Sequence, residues 1–263
     1  MTWIAALPMY NVTPALDLEW REWLDDVLRR VTPACRIVEP DEELHGFWRR
    51  PNLLMSQTCG YPLMRGLHEQ VQLVATPCFD APGCDGAHYS SVLITRADAQ
   101  FDTLASCRGA RAAYNQDDSN SGMNAFRHAV APLARAGMFF GTVARTGSHL
   151  GSLRAVADDR ADIAAIDCVT FAFVRDVLPG LAARVRAIGM TAASPGLPLI
   201  AAANVPSATI DALRDALTET LTVRPERARR LRLMGFSTLP LAAYARIRQL
   251  ETEARNAGYA RLA

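Results

Sequence analysis

The residues best suited to chemistry lie in one polar segment, YNQDDSNSGMNAFRH, which spans residues 114–128. Ser119 and Ser121 supply O–H donors, and the backbone N–H groups of Asn120, Ser121 and Gly122 are the unpaired donors of a helix start. Such a turn binds a tetrahedral oxyanion without any cationic side chain. Serine is also a common helix cap, so the sequence predicts that Ser119 either caps the helix or contacts an anion.

Two more helix starts follow along the chain. The segment TGSH, residues 146–149, opens a helical pattern with Ser148 and His149, and His149 either donates a hydrogen bond to an anion or lies on the surface. Asp167 follows the next apolar run and either contacts a ligand or caps the next helix. Three helix starts that converge on a cleft form a binding site, and this convergence is a prediction from their order.

A second group of polar and aromatic residues lies outside these turns. Gln57, Thr58 and Tyr61 stand in the segment SQTCGYP and are predicted to cover the ligand from another lobe. Tyr10 and Tyr89 are candidates for aromatic walls of the site, with core packing as the alternative for each ring.

The same turns also allow a hydrolase. Ser121, His149 and Asp167 are the obvious members of a catalytic triad. Against this, no serine stands in a GxSxG turn, and each serine has a capping role open to it. We therefore predict a binding protein without catalytic residues, with the hydrolase as the alternative and a ligand sensor as a third candidate.

The composition narrows the function further. The chain has 263 residues and a net charge of +1, and all 28 basic residues are arginine. Without lysine there is no Schiff-base or P-loop lysine, and the neutral balance argues against a nucleic-acid partner. Neither Arg127 nor Arg154 falls inside the proposed turns, and both are expected to face solvent.

The cysteines do not indicate a metal or cofactor site. The six are scattered without a CxxC pair, and the spacing of Cys78, Cys84 and His88 matches no common zinc pattern. A Cys59–Cys84 bridge is possible, but free thiols fit a reducing compartment better.

Targeting signals are also weak. No window approaches the roughly 20 apolar residues of a membrane span, so no membrane insertion is expected. No basic segment with a following apolar run opens the sequence, which predicts a cytoplasmic protein, or a periplasmic one if an export signal has been removed.

Short apolar runs alternate with amphipathic segments along the whole chain, which predicts an α/β fold with mostly parallel sheets flanked by helices. The chain is expected to change lobe at two turn-rich stretches, Cys78–His88 and Thr191–Pro198. The predicted lobes are residues 1–88 with 191–263, and residues 89–190. The clearest predicted helices are Pro14–Arg30, Ser119–Arg135 and Ser207–Thr222.

The chain resembles the phosphonate/phosphate-type substrate-binding proteins of ABC transporters, which have the two-lobed type II periplasmic binding-protein fold. The resemblance rests on four segments: SQTCGYPL, HYSSVLI, DSNSGMNAFR and TGSHLGSLRAVADDRADIAAID. It implies a small anionic ligand and an ABC permease as partner. It also implies that Ser119, Asn120, Ser121 and His149 hold the phosphonate oxygens, with Tyr89 nearby.

Two departures bear on the ligand. Aminoalkylphosphonate binders have a segment similar to PGDPL at the second crossover, whereas residues 195–199 of this chain read PGLPL. A glutamate expected after the third helix start is also missing, with Val169 and Thr170 in its place. A buried ammonium without a carboxylate is costly, so an amine-bearing phosphonate is not expected unless Asp167 substitutes.

Overall fold

The computed structural model describes residues 2–40 and 43–263. Contacts within the chain divide it into two units. The first unit contains the chain up to Asp80, with Asp85–His88 and Pro195–Tyr244. The second contains Ala81–Cys84, Tyr89–Ser194 and Ala245–Ala263.

The strands largely follow the predicted apolar runs. They are β1 Ile4–Ala6, β2 Arg36–Ile37, β3 Leu53–Gln57, β4 Val71–Phe79, β5 Cys84–Asp85, β6 His88–Tyr89, β7 Ser91–Arg96, β8 Arg111–Tyr114, β9 Thr142–Arg145, β10 Ile163–Asp167, β11 Val185–Met190, β12 Ser194–Pro195, β13 Leu199–Ala202 and β14 Leu233–Ser237.

The α-helices lie between these strands. They are α1 Pro14–Val31, α2 Leu44–Trp48, α3 Gly60–Met64, α4 Ala125–Val130, α5 His149–Ala157, α6 Cys168–Val177, α7 Pro179–Ala182, α8 Ser207–Val223, α9 Pro225–Arg230 and α10 Ala245–Asn256. The predicted helix Ser119–Arg135 is divided into a π turn at Asn120–Asn124, α4 and a 3-10 turn at Ala131–Leu133.

The sheet of the first unit has the strand order β14-β4-β13-β3-β1-β2. Its β1 strand pairs in parallel with β2 and β3, whereas the pairs β3–β13, β13–β4 and β4–β14 are antiparallel. The α1 helix of this unit begins where Thr13 accepts a hydrogen bond from the Leu16 N–H, with Pro14 in the first turn. Its buried face includes Trp20 and Trp23.

The sheet of the second unit has the order β11-β7-β10-β8-β9. Here β8 pairs in parallel with β9 and β10, while β7 is antiparallel to both β10 and β11. The α/β fold with helices around sheets is confirmed. The expectation of mostly parallel sheets is wrong, because β7 and β13 run against their neighbours in the two sheets.

The C-terminal segment differs from the sequence-based boundary, which placed residues 245–263 in the first lobe. In the structure α10 packs on α4, with Ile247, Leu250 and Ala254 buried. Tyr259 is fully buried in the core cluster of the second unit that includes Phe126. The apolar spacing along α10 favours a core-facing helix, but it does not indicate which core the helix joins.

No helix among residues 2–40 and 43–263 is both long and apolar enough to cross a membrane.

Replacing Tyr259 tests the placement of the C-terminal segment. We expect Tyr259→Ala to lower the free energy of unfolding by about 3 kcal/mol, because a large buried ring leaves a cavity. Tyr259→Phe retains most of the packing, and Met138→Ala removes an exposed side chain of the same unit. Thermal unfolding compares the three variants, and an equal effect of Tyr259→Ala and Met138→Ala would contradict the packing.

Candidate ligand-binding site

Three helical segments of the second unit begin at one edge of its sheet. The strands β8, β9 and β10 end at Tyr114, Arg145 and Asp167, and β8 pairs in parallel with the other two. Parallel strands end at the same edge, so the turns that follow them lie on that side of the sheet. This arrangement positions the polar turns that the sequence singled out.

The first turn contains Ser119 and the π turn that follows it. The Ser119 Oγ accepts a hydrogen bond from the Gly122 N–H at 3.0 Å, so Ser119 caps this turn. Of the two predicted roles of Ser119, capping is the one that the geometry displays. The cap therefore uses the Gly122 N–H.

Ser121 and His149 join the first two turns directly. The Ser121 Oγ lies 2.8 Å from the His149 Nε2, within hydrogen-bond distance. The Ser91 hydroxyl donates to the Ser121 carbonyl at 3.0 Å, and Ser91 pairs in register with Asp167 on β10. Ser121 therefore contacts the second turn directly and β7 through Ser91, and His149 does not simply lie on the surface.

The imidazole of His149 is held in its neutral form. Although part of the residue reaches the surface, its Nδ1 is buried, and burial lowers the pKa of His149 to about 4. The backbone of Ala165 opposes this pKa shift more weakly. At neutral pH the ring is therefore an uncharged hydrogen-bonding group beside Ser121.

Gly122 is required by the close approach of two side chains. A Cβ at this position would overlap the Asn115 Oδ1 and lie 3.0 Å from the His149 Cε1. The Asn115 Oδ1 is buried without a hydrogen-bond partner in the described part of the chain. The sequence interpretation missed Asn115, although it is the first residue after β8 and is itself a polar residue of the loop.

Asn120 is part of a buried network. Its Nδ2 donates to the Ser194 Oγ at 2.9 Å and the Tyr89 OH at 3.2 Å, and its Oδ1 accepts from the Asn124 Nδ2 at 3.1 Å. These bonds give the Asn120 side chain a structural role at the base of the site. Ser194 and Asn124 were not predicted, because their contacts join segments far apart in sequence.

Arg127 completes this network, contrary to the prediction that it faces solvent. Only 3% of the residue is exposed, and its guanidinium donates to the Asn124 Oδ1 at 2.7 Å and the Ala260 carbonyl at 2.9 Å. The Asn124 Nδ2 also donates to the Ile247 carbonyl at 3.0 Å. A side-chain amide and one main-chain carbonyl accept from the two terminal nitrogens of the buried guanidinium, and the Glu251 carboxylate lies 3.9 Å from one of them. Arg154 is exposed, as predicted.

Ser148 and Asp167 both cap helices. The Ser148 Oγ accepts from the Gly151 N–H at 2.9 Å. One carboxylate oxygen of Asp167, which is 2% exposed, accepts from the Val169 and Thr170 N–H groups at 2.8 and 3.1 Å. Capping is thus the observed role of both side chains.

The hydrogen bonds of Asp167 and His149 also bear on the hydrolase alternative. A triad requires a carboxylate that accepts a hydrogen bond from the His149 Nδ1. Within residues 2–40 and 43–263, no carboxylate accepts from this nitrogen. The Ser121–His149 pair therefore lacks the third member of the proposed triad.

The candidate residues of the first unit are buried. The Gln57 Nε2 donates to the Leu197 carbonyl at 3.3 Å, and the Thr58 N–H donates to the Pro198 carbonyl at 3.0 Å. Gln57 and Thr58 therefore lie against the PGLPL segment in their own unit.

The two tyrosines of the first unit are also buried. The Tyr61 hydroxyl accepts from the Arg65 Nη1 at 2.8 Å. The Tyr10 ring packs edge-on to Phe79, with centroids 5.3 Å apart, which fits the core-packing alternative.

Comparisons with known proteins show the family to which the chain is related. Residues 53–244 match the family model described as "ABC transporter, phosphonate, periplasmic substrate-binding protein". No curated protein matches the chain.

Three solved structures with the same fold are similar to this chain. A binding-protein component of an ABC phosphonate transporter from Pseudomonas aeruginosa has 17% identity and a TM-score of 0.79, with 97% of this chain and 87% of that chain covered. PhnD1 from Prochlorococcus marinus, in complex with methylphosphonate, has 11% identity and a TM-score of 0.78, with 96% and 98% covered. A Xanthomonas citri protein bound to ATP has 16% identity and a TM-score of 0.70, with 97% and 98% covered.

The class of protein follows first from the fold, which is that of two-lobed type II periplasmic binding proteins. Since the family model covers most of the chain, the chain belongs to the phosphonate substrate-binding proteins of ABC transporters. The resemblance seen in the sequence is confirmed, and the hydrolase alternative gains no support.

A methyl group at Gly122 tests the packing of the first turn. Gly122→Ala is expected to destabilise the protein by about 1–3 kcal/mol, because the new Cβ displaces Asn115 or His149. Gly180→Ala is the matched control in the same unit, since its Cβ meets no atom within 4 Å. If both variants unfold at the same temperature, the close approach at Gly122 is wrong.

The lowered pKa of His149 predicts a pH-dependent stability. The unfolded chain takes up a proton at His149 below about pH 6.5, whereas the folded protein does so only near pH 4. The stabilising contribution is therefore complete above pH 6.5 and is lost as the pH falls towards 4.

The measurement is the thermal midpoint of the wild type and of His149→Gln at pH 7, 6 and 5. As the pH falls, the free energy of unfolding of the wild type should decrease more steeply than that of His149→Gln. The two slopes should differ by up to about 1 kcal/mol per pH unit. His128→Gln is the control, because His128 lies partly exposed beside Glu253. Parallel curves for the wild type and His149→Gln would show that the ring is not held neutral.

Proposed function

We propose that the second unit binds the oxyanion head of a phosphonate- or phosphate-like ligand at the edge of its sheet, beside Ser121 and His149. The observation that carries this proposal is the 2.8 Å contact between the Ser121 Oγ and the His149 Nε2, which joins two helical starts after parallel strands. Hydroxyl, imidazole and backbone N–H groups at such starts are suitable donors for tetrahedral anions.

The electrostatic basis is a set of neutral donors. With a pKa of about 4, His149 carries no charge at neutral pH, and Arg127 is occupied by Asn124 and the Ala260 carbonyl. The positive end of a helix dipole is then the main favourable field at the site. An anion held by hydrogen bonds and dipoles in this way is bound reversibly.

The ligand proposed here has no amine. Leu197 occupies the position at which sequences similar to the aminoalkylphosphonate binders have an aspartate. The Leu197 side chain is buried in the first unit. Asp167 has one carboxylate oxygen committed to two N–H groups of α6. An ammonium without a carboxylate partner loses its hydration without compensation. An alkylphosphonate or phosphate therefore fits better than an aminoalkylphosphonate.

We further propose that the protein delivers its ligand to an ABC permease from the periplasm and catalyses no reaction. Membership of the family supports this role. The alternative hydrolase would rest on the Ser121–His149 pair.

Calorimetric titration tests the ligand assignment. Methylphosphonate and phosphate are expected to bind, whereas 2-aminoethylphosphonate should bind at least about tenfold more weakly, because its ammonium loses hydration without compensation. Ser121→Ala should lower the affinity for methylphosphonate by about 10-fold or more, the cost of one charge-assisted hydrogen bond. The measured quantities are the dissociation constants at pH 7.5.

The matched control is Ser106→Ala in the same unit. Ser106 is exposed and precedes β8, so it lies towards the opposite edge of the sheet, and its loss should leave the affinity unchanged. Absence of binding by either anion would refute the oxyanion site, and an unchanged affinity in Ser121→Ala would place it elsewhere. Turnover of activated esters that disappears in Ser121→Ala would favour the hydrolase.

A further inference from the structure

Two cysteines of the second unit lie close together although 84 residues separate them in sequence. The Cys84 Sγ is 3.5 Å from the Cys168 Sγ, and both cysteines are free thiols. Cys84 is partly exposed, whereas Cys168 is buried at the first position of α6. One thiol of the pair is thus open to solvent and the other is covered.

The backbone holds this pair in place. The Ser90 N–H donates to the Gly83 carbonyl at 2.9 Å, and the Cys168 N–H donates to the Ser90 carbonyl at 3.2 Å. A Cβ at Gly83 would lie 3.1 Å from the Cys168 Cβ, so the chain just before Cys84 packs against Cys168. The proximity of the thiols is therefore built by three adjoining segments of one unit.

We propose that Cys84 and Cys168 form an intramolecular disulfide when the protein meets a protein or small-molecule disulfide as oxidant. A disulfide requires the two sulfur atoms to approach from 3.5 Å to about 2.05 Å, a movement of about 1.5 Å. This disulfide would join the segment that contains Cys84 to the start of α6.

The reaction is thiol–disulfide exchange in two steps. The Cys84 thiolate attacks one sulfur of the oxidant, which forms a mixed disulfide and releases the first oxidant thiol. The Cys168 thiolate then attacks the Cys84 Sγ, which forms the intramolecular bond and releases the second thiol. The two electrons and the two thiol protons end on the reduced oxidant, so the exchange balances.

The order of attack follows from the surroundings of the thiols. The hydrogen bond with the Cys84 thiol and then burial raise the pKa of Cys168 far above its ordinary value, so Cys168 is a poor first nucleophile. A mixed disulfide at Cys84 removes that thiol as a partner. Cys168 is then adjacent to an activated sulfur atom.

The other cysteines are less suited to this exchange. Burial raises the pKa of both Cys35 and Cys107 to about 11. The Cys78 Sγ lies 3.3 Å from the Ser237 Oγ. A Cys84–Cys168 bond would use the same Cys84 thiol that the Cys59–Cys84 bridge allowed by the sequence requires, so the two bonds exclude each other.

Peptide mapping of the oxidised wild-type protein tests this proposal. The folded protein is treated with oxidised glutathione, blocked with iodoacetamide and digested by trypsin without reduction. Cleavage after arginine places Cys84 in peptide 66–96 and Cys168 in peptide 161–175. The two peptides are expected as one cross-linked species that reduction separates.

Cys78 shares the first peptide, so two variants assign the bond. Cys78→Ser should retain the cross-link and Cys84→Ser should lose it. The oxidised wild type should also unfold about 5 °C above the reduced form, because the bond closes a long loop in the unfolded chain. A cross-link that survives in Cys84→Ser, a bond from Cys59 to Cys84, or only glutathionylated monothiols would each overturn the proposal.

Discussion

The buried hydrogen-bond chain from Arg127 through Asn124 to Asn120 is the interaction on which the site depends. It joins the π turn to the C-terminal segment through the Ile247 and Ala260 carbonyls, and to Tyr89 and Ser194 at the ends of short strands. Hydrogen bonds from its two terminal nitrogens hold the buried guanidinium in place, and each bond of the chain limits where the turn can lie. Ser121 is held next to His149 because the residues on both sides of it are fixed in this way.

The fixed turn accounts for the electrostatic character of the site. The network uses the cationic side chain nearest in sequence, Arg127, for structure. Ser121 and the neutral ring of His149 share one hydrogen bond, in which one of the two is the acceptor. In the proposed site, an anion relies on oriented dipoles, which need no reorganisation when the ligand arrives. Such a site favours the shape and hydrogen-bonding pattern of a tetrahedral head group over charge alone.

Local features of the sequence were sufficient for much of the fold. The predicted helix Pro14–Arg30 corresponds to α1, because a capping threonine, an early proline and a regular apolar stripe act within one element. The caps at Ser119, Ser148 and Asp167 were also predictable, since each is a short polar side chain at a strand-to-helix junction.

The sequence-based predictions that failed depend on contacts between segments that are distant along the chain. The Asn120–Ser194 bond spans 74 residues and the Asn124–Ile247 bond spans 123, so no local pattern could reveal either. The buried state of Arg127 and the membership of α10 in the second unit follow from the same long-range bonds. The direction of β7 and β13 likewise depends on where the chain returns, which the apolar runs do not encode.

The most direct measurement is a crystal structure of the protein with methylphosphonate. Neutral donors at the sheet edge predict phosphonate oxygens within about 3 Å of the Ser121 Oγ and the His149 Nε2, with Arg127 still bonded to Asn124. A phosphonate bound instead by arginine side chains, or at a place that Ser121 does not touch, would contradict this arrangement.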